Sequence, residues 1–193
     1  YLFGTFTPNE TLTEPLADIV TSANPDVKRV AILARNDLFP LAIGQEMEKS
    51  AQARGLEVVS FERYAIGTMD HSAAVTQMRA AQPDWVFATG YINDLILIRR
   101  QLADQGVDPA VITMIAGPAY REFIEAGGAL AENVSSAAWW HPAVRYNGED
   151  IFGTTENFNA AWEARYGGEA DYAEASAAAA GAILQIAIEK AGT

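Results

Sequence analysis

The stretch Val27–Val59, VKRVAILARNDLFPLAIGQEMEKSAQARGLEVV, contains the repeating unit on which the fold depends. It opens with a continuous apolar run, Arg29–Ala34, which predicts a buried strand. Apolar residues at helical spacing follow over Phe39–Arg54, and Gly55 is the type of residue that ends a helix. A second β-branched run, Leu56–Phe61, then predicts a new strand. A strand, a helix and another strand form the unit of a parallel sheet.

The same unit recurs along the chain. Three further runs have the composition of strands: Asp84–Thr89, Val111–Ala116 and Val134–Ala138, the last interrupted by two serines. Four further segments before Ala138 have helical patterns: Thr13–Ala23, Ser72–Ala81, Asn93–Gln105 and Ala119–Ala126. Strands that alternate with helices predict an α/β fold, with a parallel doubly wound sheet and helices on both faces.

The alternation ends after Ala138, and two extra helices follow without a strand between them, Thr155–Tyr166 and Tyr172–Ala191. The second is apolar on nearly every side, and such a helix is normally buried on every side. It is too short for a membrane span, which needs about 20 apolar residues. We therefore expect part of its packing partner to lie outside this chain. Alone, the chain is expected to form a homodimer through helix 172–191 or to fray there.

Composition excludes several classes of function. The formal net charge is −12, which argues against a nucleic-acid partner, because such proteins neutralise phosphates with Lys and Arg. It argues equally against an anionic membrane surface. The chain has no cysteine, so it has neither disulfides nor thiolate metal sites. It begins at Tyr1, without a methionine or a visible signal peptide, and we interpret it as a processed chain or a piece of a longer one.

Ligands of an open parallel sheet bind at the carboxyl ends of the strands. The residues that follow the predicted strands there are rich in aromatic side chains and poor in charge. They are Asn36 and Phe39, Tyr91, Ala119 and Tyr120, and Trp139 and Trp140. Such a composition is typical of a pocket for a small molecule. Arg35 or Asn36 could meet a polar end of the ligand, although Arg35 is equally well explained as a solvated loop charge.

No catalytic, cofactor or metal site is predicted. The glycine motifs of dinucleotide-binding and P-loop proteins are absent, as is the nucleophile elbow of hydrolases. The two histidines, His71 and His141, have no metal-ligand spacing. We interpret His71 as a partly packed residue at a helix start and His141 as a solvated linker residue. Glu122 and Glu125 are best explained as a solvated helix face.

With its elements in this order, the chain resembles the type I periplasmic binding proteins, in the branch for branched-chain amino acids, amides and aromatic acids. Val27–Val59 is similar to the opening of the family's second lobe. Tyr64–Tyr91, YAIGTMDHSAAVTQMRAAQPDWVFATGY, resembles its Gly-x-x-Asp-Phe-Ser helix start and Pro-Asp strand, with His71 where phenylalanine is usual. The segments IRRQLADQG, AEN and WWHP continue the order, and Phe158–Thr193 is similar to helices of the first lobe.

The resemblance implies a division of the chain into parts of two lobes. Residues 1–10 would be a hinge crossing and residues 11–138 the α/β second lobe, which binds ligand. Residues 139–150 would be the return crossing, where Trp139 and Trp140 cover the ligand or pack the hinge. We expect one of them to face the cleft. Residues 151–193 would be a helical remnant of the first lobe, whose sheet would precede Tyr1.

The resemblance also implies where the ligand is recognised. Family members that bind amino acids have an aromatic residue in the first loop, another after the third strand, and an acid after the fourth that pairs with the ligand's α-ammonium. The matching positions are Phe39, Tyr91 and Ala119, so the acid is missing. A buried ammonium without a counter-charge is costly. This departure predicts a ligand that has no α-ammonium group.

We therefore predict a periplasmic, non-catalytic protein that binds a small organic acid or amide, aromatic or branched, for import. Its partner would be the membrane permease of an ABC transporter, and no direct membrane insertion is expected. An alternative is the ligand-sensing region of a regulator or receptor on the same fold. A third possibility, an enzyme on a doubly wound sheet, has no catalytic motif to support it.

Overall fold

The computed structural model describes residues 4–192, which form two compact units. The sheet unit is Pro8–Ala137. The helical unit comprises the described residues of Tyr1–Thr7 and Ala138–Thr193. Tyr1, Leu2 and Phe3, with which the predicted hinge crossing begins, lie outside the described residues.

Five parallel strands form the single sheet of the sheet unit. Their bounds are Arg29–Arg35 (β1), Glu57–Tyr64 (β2), Trp85–Thr89 (β3), Val111–Ile115 (β4) and Val134–Ser135 (β5). Their order is β2-β1-β3-β4-β5, with every neighbouring pair parallel. Every residue of the central strand β3 is buried, because its apolar side chains meet helices on both sides of the sheet. The predicted α/β fold with a parallel sheet is confirmed.

Seven α-helices are present among the described residues. Their bounds are Glu10–Ala23 (α1), Leu38–Ala53 (α2), Ser72–Ala81 (α3), Ile92–Asp104 (α4), Arg121–Gly127 (α5), Thr155–Tyr166 (α6) and Tyr172–Ala191 (α7). A short 3₁₀ turn, Gly128–Ala131, follows α5. Helix α1 begins at Glu10 rather than at the predicted Thr13, so Pro15 lies beyond its first turn instead of within it. The helix tolerates this proline although it cannot donate a main-chain hydrogen bond.

The two faces of the sheet carry different helix layers. One face packs on α3, α4 and α5 through an apolar core that includes Leu33, Met78, Leu95, Met114 and Phe123. The opposite face packs on α2, where the Thr89 hydroxyl donates a hydrogen bond to the main-chain carbonyl of Pro40 over 2.6 Å. Both layers leave the carboxyl ends of β1, β3 and β4 at one edge.

Strand β5 is shorter than the predicted Val134–Ala138. The Ser135 hydroxyl donates to the carbonyl of Ile112 over 3.0 Å, and the Ser136 hydroxyl donates to the carbonyl of Met114 over 2.8 Å. Serine side chains that bond to nearby main chain compete with a regular ladder. The two serines therefore hold this segment against β4 while ending its regular pairing.

Candidate functional site

The carboxyl edge of the sheet unit contains five of the residues predicted for ligand binding: Asn36, Phe39, Tyr91, Ala119 and Tyr120. The pairing of Ala34 with Thr89, and of Thr89 with Ile115, aligns the ends of β1, β3 and β4. The loops after these strands are consequently neighbours. Asn36 and Tyr91 are exposed, and the other three are half-buried.

An ion pair that the sequence analysis missed lies at the centre of this edge. Arg35 Nη1 is 2.7 Å from Asp94 Oδ2, and both side chains are largely buried. The same carboxylate oxygen accepts the main-chain N–H of Tyr91 over 3.1 Å. Its hydrogen bond to Arg35 raises the pKa of that residue, so the guanidinium stays charged. The sequence carries one signal for Asp94, which is an acidic residue in the first turn of a helix.

The guanidinium of Arg35 also covers one face of Tyr91. Its central carbon lies 4.8 Å from the centre of the Tyr91 ring, which is within the range of a cation–π contact. On its other side, Arg35 Nε is 3.6 Å from Asp37 Oδ2. Arg35 is therefore a structural and electrostatic part of this edge, and the interpretation as a solvated loop charge does not fit its burial.

The side chain of Tyr64, at the end of β2, holds the start of the loop after β3 in place. Its hydroxyl donates to the main-chain carbonyl of Thr89 over 3.0 Å. Burial raises the pKa of Tyr64, so the hydroxyl keeps the proton that it donates. A Cβ atom at Gly90 would lie only 2.0 Å from this hydroxyl oxygen. Position 90 therefore requires glycine. Because the Tyr64 side chain packs against the main chain at Gly90, it fixes the position of the chain directly before Tyr91.

The loop after β4 has an unusual backbone and no acidic side chain at the expected position. Ala116 has φ of +68°, a left-handed conformation that is uncommon for a residue with a Cβ atom. Ala119 and Tyr120 follow it, and both are half-buried. Glu122, the next acid along the chain, is exposed on α5. Glu125 is 2.7 Å from Arg121 in an exposed ion pair, as a solvated helix face would predict.

Trp139 and Trp140 belong to the helical unit. The centre of the Trp139 ring lies 4.9 Å from the centre of the Phe6 ring and 5.2 Å from that of the Tyr172 ring. The indole N–H of Trp139 donates to the main-chain carbonyl of Thr7. The Trp140 ring meets Phe158 edge-on at 5.5 Å. Both tryptophans are half-buried and line a cavity of about 320 Å³ within this unit.

The aromatic walls of this cavity continue onto helix α7. Its other large lining residues are Phe6, Tyr146, Phe152, Phe158, Tyr172, Ile183 and Ile186. The last two are about half exposed, so the cavity is open along α7. Within the helical unit, both tryptophans therefore pack on aromatic neighbours around this open cavity.

The two histidines differ sharply in their surroundings. His71 is 2% exposed at the start of α3 and is more buried than expected, whereas His141 is exposed and its Nδ1 accepts the N–H of Ala143.

Across residues 4–192 no three His, Asp or Glu side chains are grouped closely enough to hold a metal ion. Within the same described range, none of the helices has the length and apolarity to cross a membrane.

The similarities of this chain to known proteins agree with one another. A family model described as "Periplasmic binding protein" matches residues 1–193. The Leu/Ile/Val-binding protein homolog 8 of Brucella abortus (strain 2308) is 28% identical over 178 residues, which cover 88% of this chain and 43% of that protein. The leucine-, isoleucine-, valine-, threonine-, and alanine-binding protein of Pseudomonas aeruginosa is 28% identical over 102 residues, covering 48% of this chain and 27% of that protein.

Solved structures share the fold. The leucine binding protein LivK of Thermotoga maritima superposes with a TM-score of 0.83 at 23% identity, covering 98% of this chain and 52% of that one. LivJ of Streptococcus pneumoniae, in complex with isoleucine, has a TM-score of 0.70 at 21% identity, covering 86% of this chain and 46% of that one. The chain thus spans about half the length of these relatives, and its sheet unit matches one lobe of their fold. By its sequence match over residues 1–193 and its fold, the chain belongs to the periplasmic binding protein family.

Proposed function

We propose that this chain is the ligand-binding part of a periplasmic solute-binding protein that delivers its ligand to the permease of an ABC importer. The ligand is a small organic acid or amide with an aromatic or branched body and no α-ammonium group. The protein binds and releases it without chemical change. Family membership supports the transport role. The observation that carries the ligand class is the Arg35–Asp94 pair beside Tyr91. It is joined by Ala119 in the loop after β4, the position at which the family resemblance implies an acid in amino-acid binders.

The division of the chain supports the proposed lobes. We propose that residues 11–138 are the second lobe, residues 1–10 and 139–150 are crossings, and residues 151–193 belong to the first lobe. The compactness of Pro8–Ala137 as one unit supports these limits. Trp139 and Trp140 then belong to the return crossing.

The electrostatics of the carboxyl edge argue against an α-ammonium. An ion that loses its water without gaining a partner costs several kcal/mol. Asp94 is mostly buried and already accepts hydrogen bonds from Arg35 and from the main chain of Tyr91. A ligand ammonium would have to compete with a guanidinium for this carboxylate. A carboxylate or amide oxygen, in contrast, would find the charge of Arg35 favourable.

The apolar body of the ligand would lie between Phe39 and Tyr91. Arg35 covers one face of the Tyr91 ring. Tyr91 is still 42% exposed, so part of its ring is open to a ligand. Asn36, Ala119 and Tyr120 complete the second-lobe wall of the proposed site. Branched aliphatic and aromatic bodies both suit two flat rings and a small alanine.

The names of the relatives favour a competing ligand class, the branched-chain amino acids, and calorimetry can separate the two. The full-length protein is titrated with leucine and with its deaminated analogue, 4-methylpentanoate. We expect 4-methylpentanoate to bind more tightly, because it lacks the ammonium for which Ala119 offers no counter-charge. Leucine, isoleucine or valine ranking first would contradict the proposed ligand class.

A substitution at position 119 provides the matched control. Ala119→Glu should increase the affinity for leucine by about tenfold or more, since a hydrogen bond to a charged group contributes about 1.5–3 kcal/mol. It should weaken the binding of 4-methylpentanoate. Ala119→Gln has the same size without the charge and should not produce this exchange. Unchanged ranking in Ala119→Glu would remove position 119 from the site.

For the 193-residue chain by itself, we propose that the exposed face of α7 pairs with a second copy or frays. The residues that support this are large, apolar and 42–62% exposed: Ile183, Leu184, Ile186 and Ile188. Alanines earlier in the helix would allow another main chain to approach closely.

A further inference from the structure

His71 is a buried titratable side chain whose polar atoms have no partner. It is 2% exposed, and neither ring nitrogen has a hydrogen-bond partner among the described residues. Its main-chain N–H donates to Gln101 Oε1 over 2.7 Å, which holds the residue at the start of α3. Buried polar groups are normally paired, so an imidazole in this state requires an explanation.

Direct contacts connect His71 to the proposed ligand-binding edge. Its ring meets the ring of Tyr64 edge-on, with 4.6 Å between centres and 82° between planes. The Tyr64 hydroxyl donates to the carbonyl of Thr89 and fills the space beside the Gly90 main chain, where no Cβ atom would fit. Gly90 precedes Tyr91 directly. A displacement of the Tyr64 ring would therefore shift the main chain at Gly90 and Tyr91.

The charges around His71 come from three elements. Asp70 precedes it, Asp94 lies in the first turn of α4, and Arg35 of β1 interacts electrostatically with Tyr64, the ring that His71 contacts. Both carboxylates have partners of their own: Asp70 accepts the N–H groups of Ser72 and Gln101, and Asp94 accepts those of Arg35 and Tyr91. Burial lowers the pKa of His71 more than these two carboxylates raise it.

We propose that His71 and Tyr64 are positioning residues for Tyr91, and that protonation of His71 displaces the Tyr64 ring and weakens ligand binding. The ligand-binding half of this inference rests on the proposed function, whereas the link from His71 to Tyr91 does not. A buried imidazolium would need a hydrogen-bond acceptor for each N–H, and reaching one requires the ring to move.

The direction of the pH effect follows from the burial. In the unfolded chain a histidine titrates near pH 6.5, and burial lowers the pKa of His71 below this value. The neutral, well-packed ring is therefore present above about pH 6.5. Its contribution to stability and to the position of Tyr91 is lost as the pH falls through the folded-state pKa. Ligand binding should be weaker in acid and insensitive to pH above neutrality.

The link to Tyr91 can be tested by NMR without any ligand. Between pH 8 and pH 5, the main-chain amide signals of Gly90 and Tyr91 should shift with the same midpoint as the His71 ring. His71→Phe keeps a flat ring against Tyr64 and should abolish this shift, while His141→Gln should leave it intact. Amides of Gly90 and Tyr91 that do not move, or that still move in His71→Phe, would overturn the inference.

A second variant tests the role of Tyr64. Tyr64→Phe keeps the ring but removes the hydroxyl that donates to Thr89. In this variant the His71 ring should still titrate, but the shift transmitted to Gly90 and Tyr91 should be reduced. An undiminished shift would mean that Tyr64 does not carry the effect.

Calorimetry with 4-methylpentanoate at pH 7.5 and pH 5.5 tests the effect on binding. We expect binding about threefold or more weaker at the lower pH, because binding that excludes the protonated ring weakens by up to about tenfold for each pH unit below the His71 pKa. In His71→Phe most of this difference should disappear. Any pH dependence that remains in this variant measures the effect of protonating the ligand itself. Equal pH dependence in both proteins would overturn the coupling. Absence of binding at both pH values would contradict the proposed ligand instead, and the NMR result would still decide the role of His71.

Discussion

At the scale of single residues, Tyr91 has two separable roles. Its main chain starts α4 by donating to Asp94, and its side chain presents a ring that Arg35 covers on one face. The first role needs no side chain, so the fold should survive truncation of the ring. The second role is the one that a ligand would use.

Tyr91→Ala should therefore weaken ligand binding by about 1–3 kcal/mol, the scale of an aromatic anchor, without unfolding the protein. Calorimetry on the full-length protein measures the affinity, and circular dichroism checks the fold. Tyr91→Phe keeps the aromatic face and should bind nearly as well as the wild type. If Tyr91→Ala and the wild type bind equally tightly, Tyr91 is not part of the site.

At the scale of elements, α7 is the helix whose surroundings match its sequence least. Its start is well formed, because Asp171 accepts the main-chain N–H groups of Ala173 and Glu174. Its only buried residue is Tyr172 in the first turn, and its apolar second half is exposed on more than one side. Exposed apolar patches of this kind mark interfaces.

The isolated 193-residue chain should consequently self-associate through α7 or exchange its amide hydrogens rapidly there. Light scattering measures the mass, and hydrogen exchange measures protection over Tyr172–Ala191. Leu184→Glu places a charge on the 62% exposed position and should abolish any dimer, whereas Lys190→Glu near the helix end should have less effect. A monodisperse monomer with strongly protected amides in α7 would contradict this prediction.

At the scale of the whole molecule, the two units differ in self-sufficiency. The sheet unit has a central sheet, helices on both faces and a continuous apolar core that includes Phe123, Met114 and Leu102. The helical unit has two helices, few buried residues and an open cavity. A stable fold needs enough buried apolar surface to offset the loss of chain entropy, and only the sheet unit has it.

Residues 11–138 should accordingly fold alone, with one cooperative transition in urea, whereas residues 151–193 should not. Circular dichroism of the two separately expressed segments measures this. Loss of the cooperative transition in the 11–138 segment would show that its core depends on the rest of the chain. The same experiment tests the proposed limits of the second lobe.

The sequence by itself determined the class of fold and the position of most elements. Strands and helices were readable because their signals are local: continuous apolar runs, helical spacing, and glycines at the helix ends. The positions of Phe39, Tyr91 and Ala119 at one edge also followed, since parallel strands end on the same side. The short β5 did not follow, because the bonds of Ser135 and Ser136 to β4 depend on a neighbouring strand.

Only the tertiary structure decided the contacts that give this edge its chemistry. Arg35 and Asp94 are far apart in sequence, and they meet because β1 and β3 are adjacent and Ala34 pairs with Thr89. The burial of His71 against Tyr64 likewise depends on where α3 packs on the sheet. Local pattern predicts which element a residue joins. This ion pair and this burial depend on which strands are neighbours and on how the helices pack against the sheet, and no local signal contains that information.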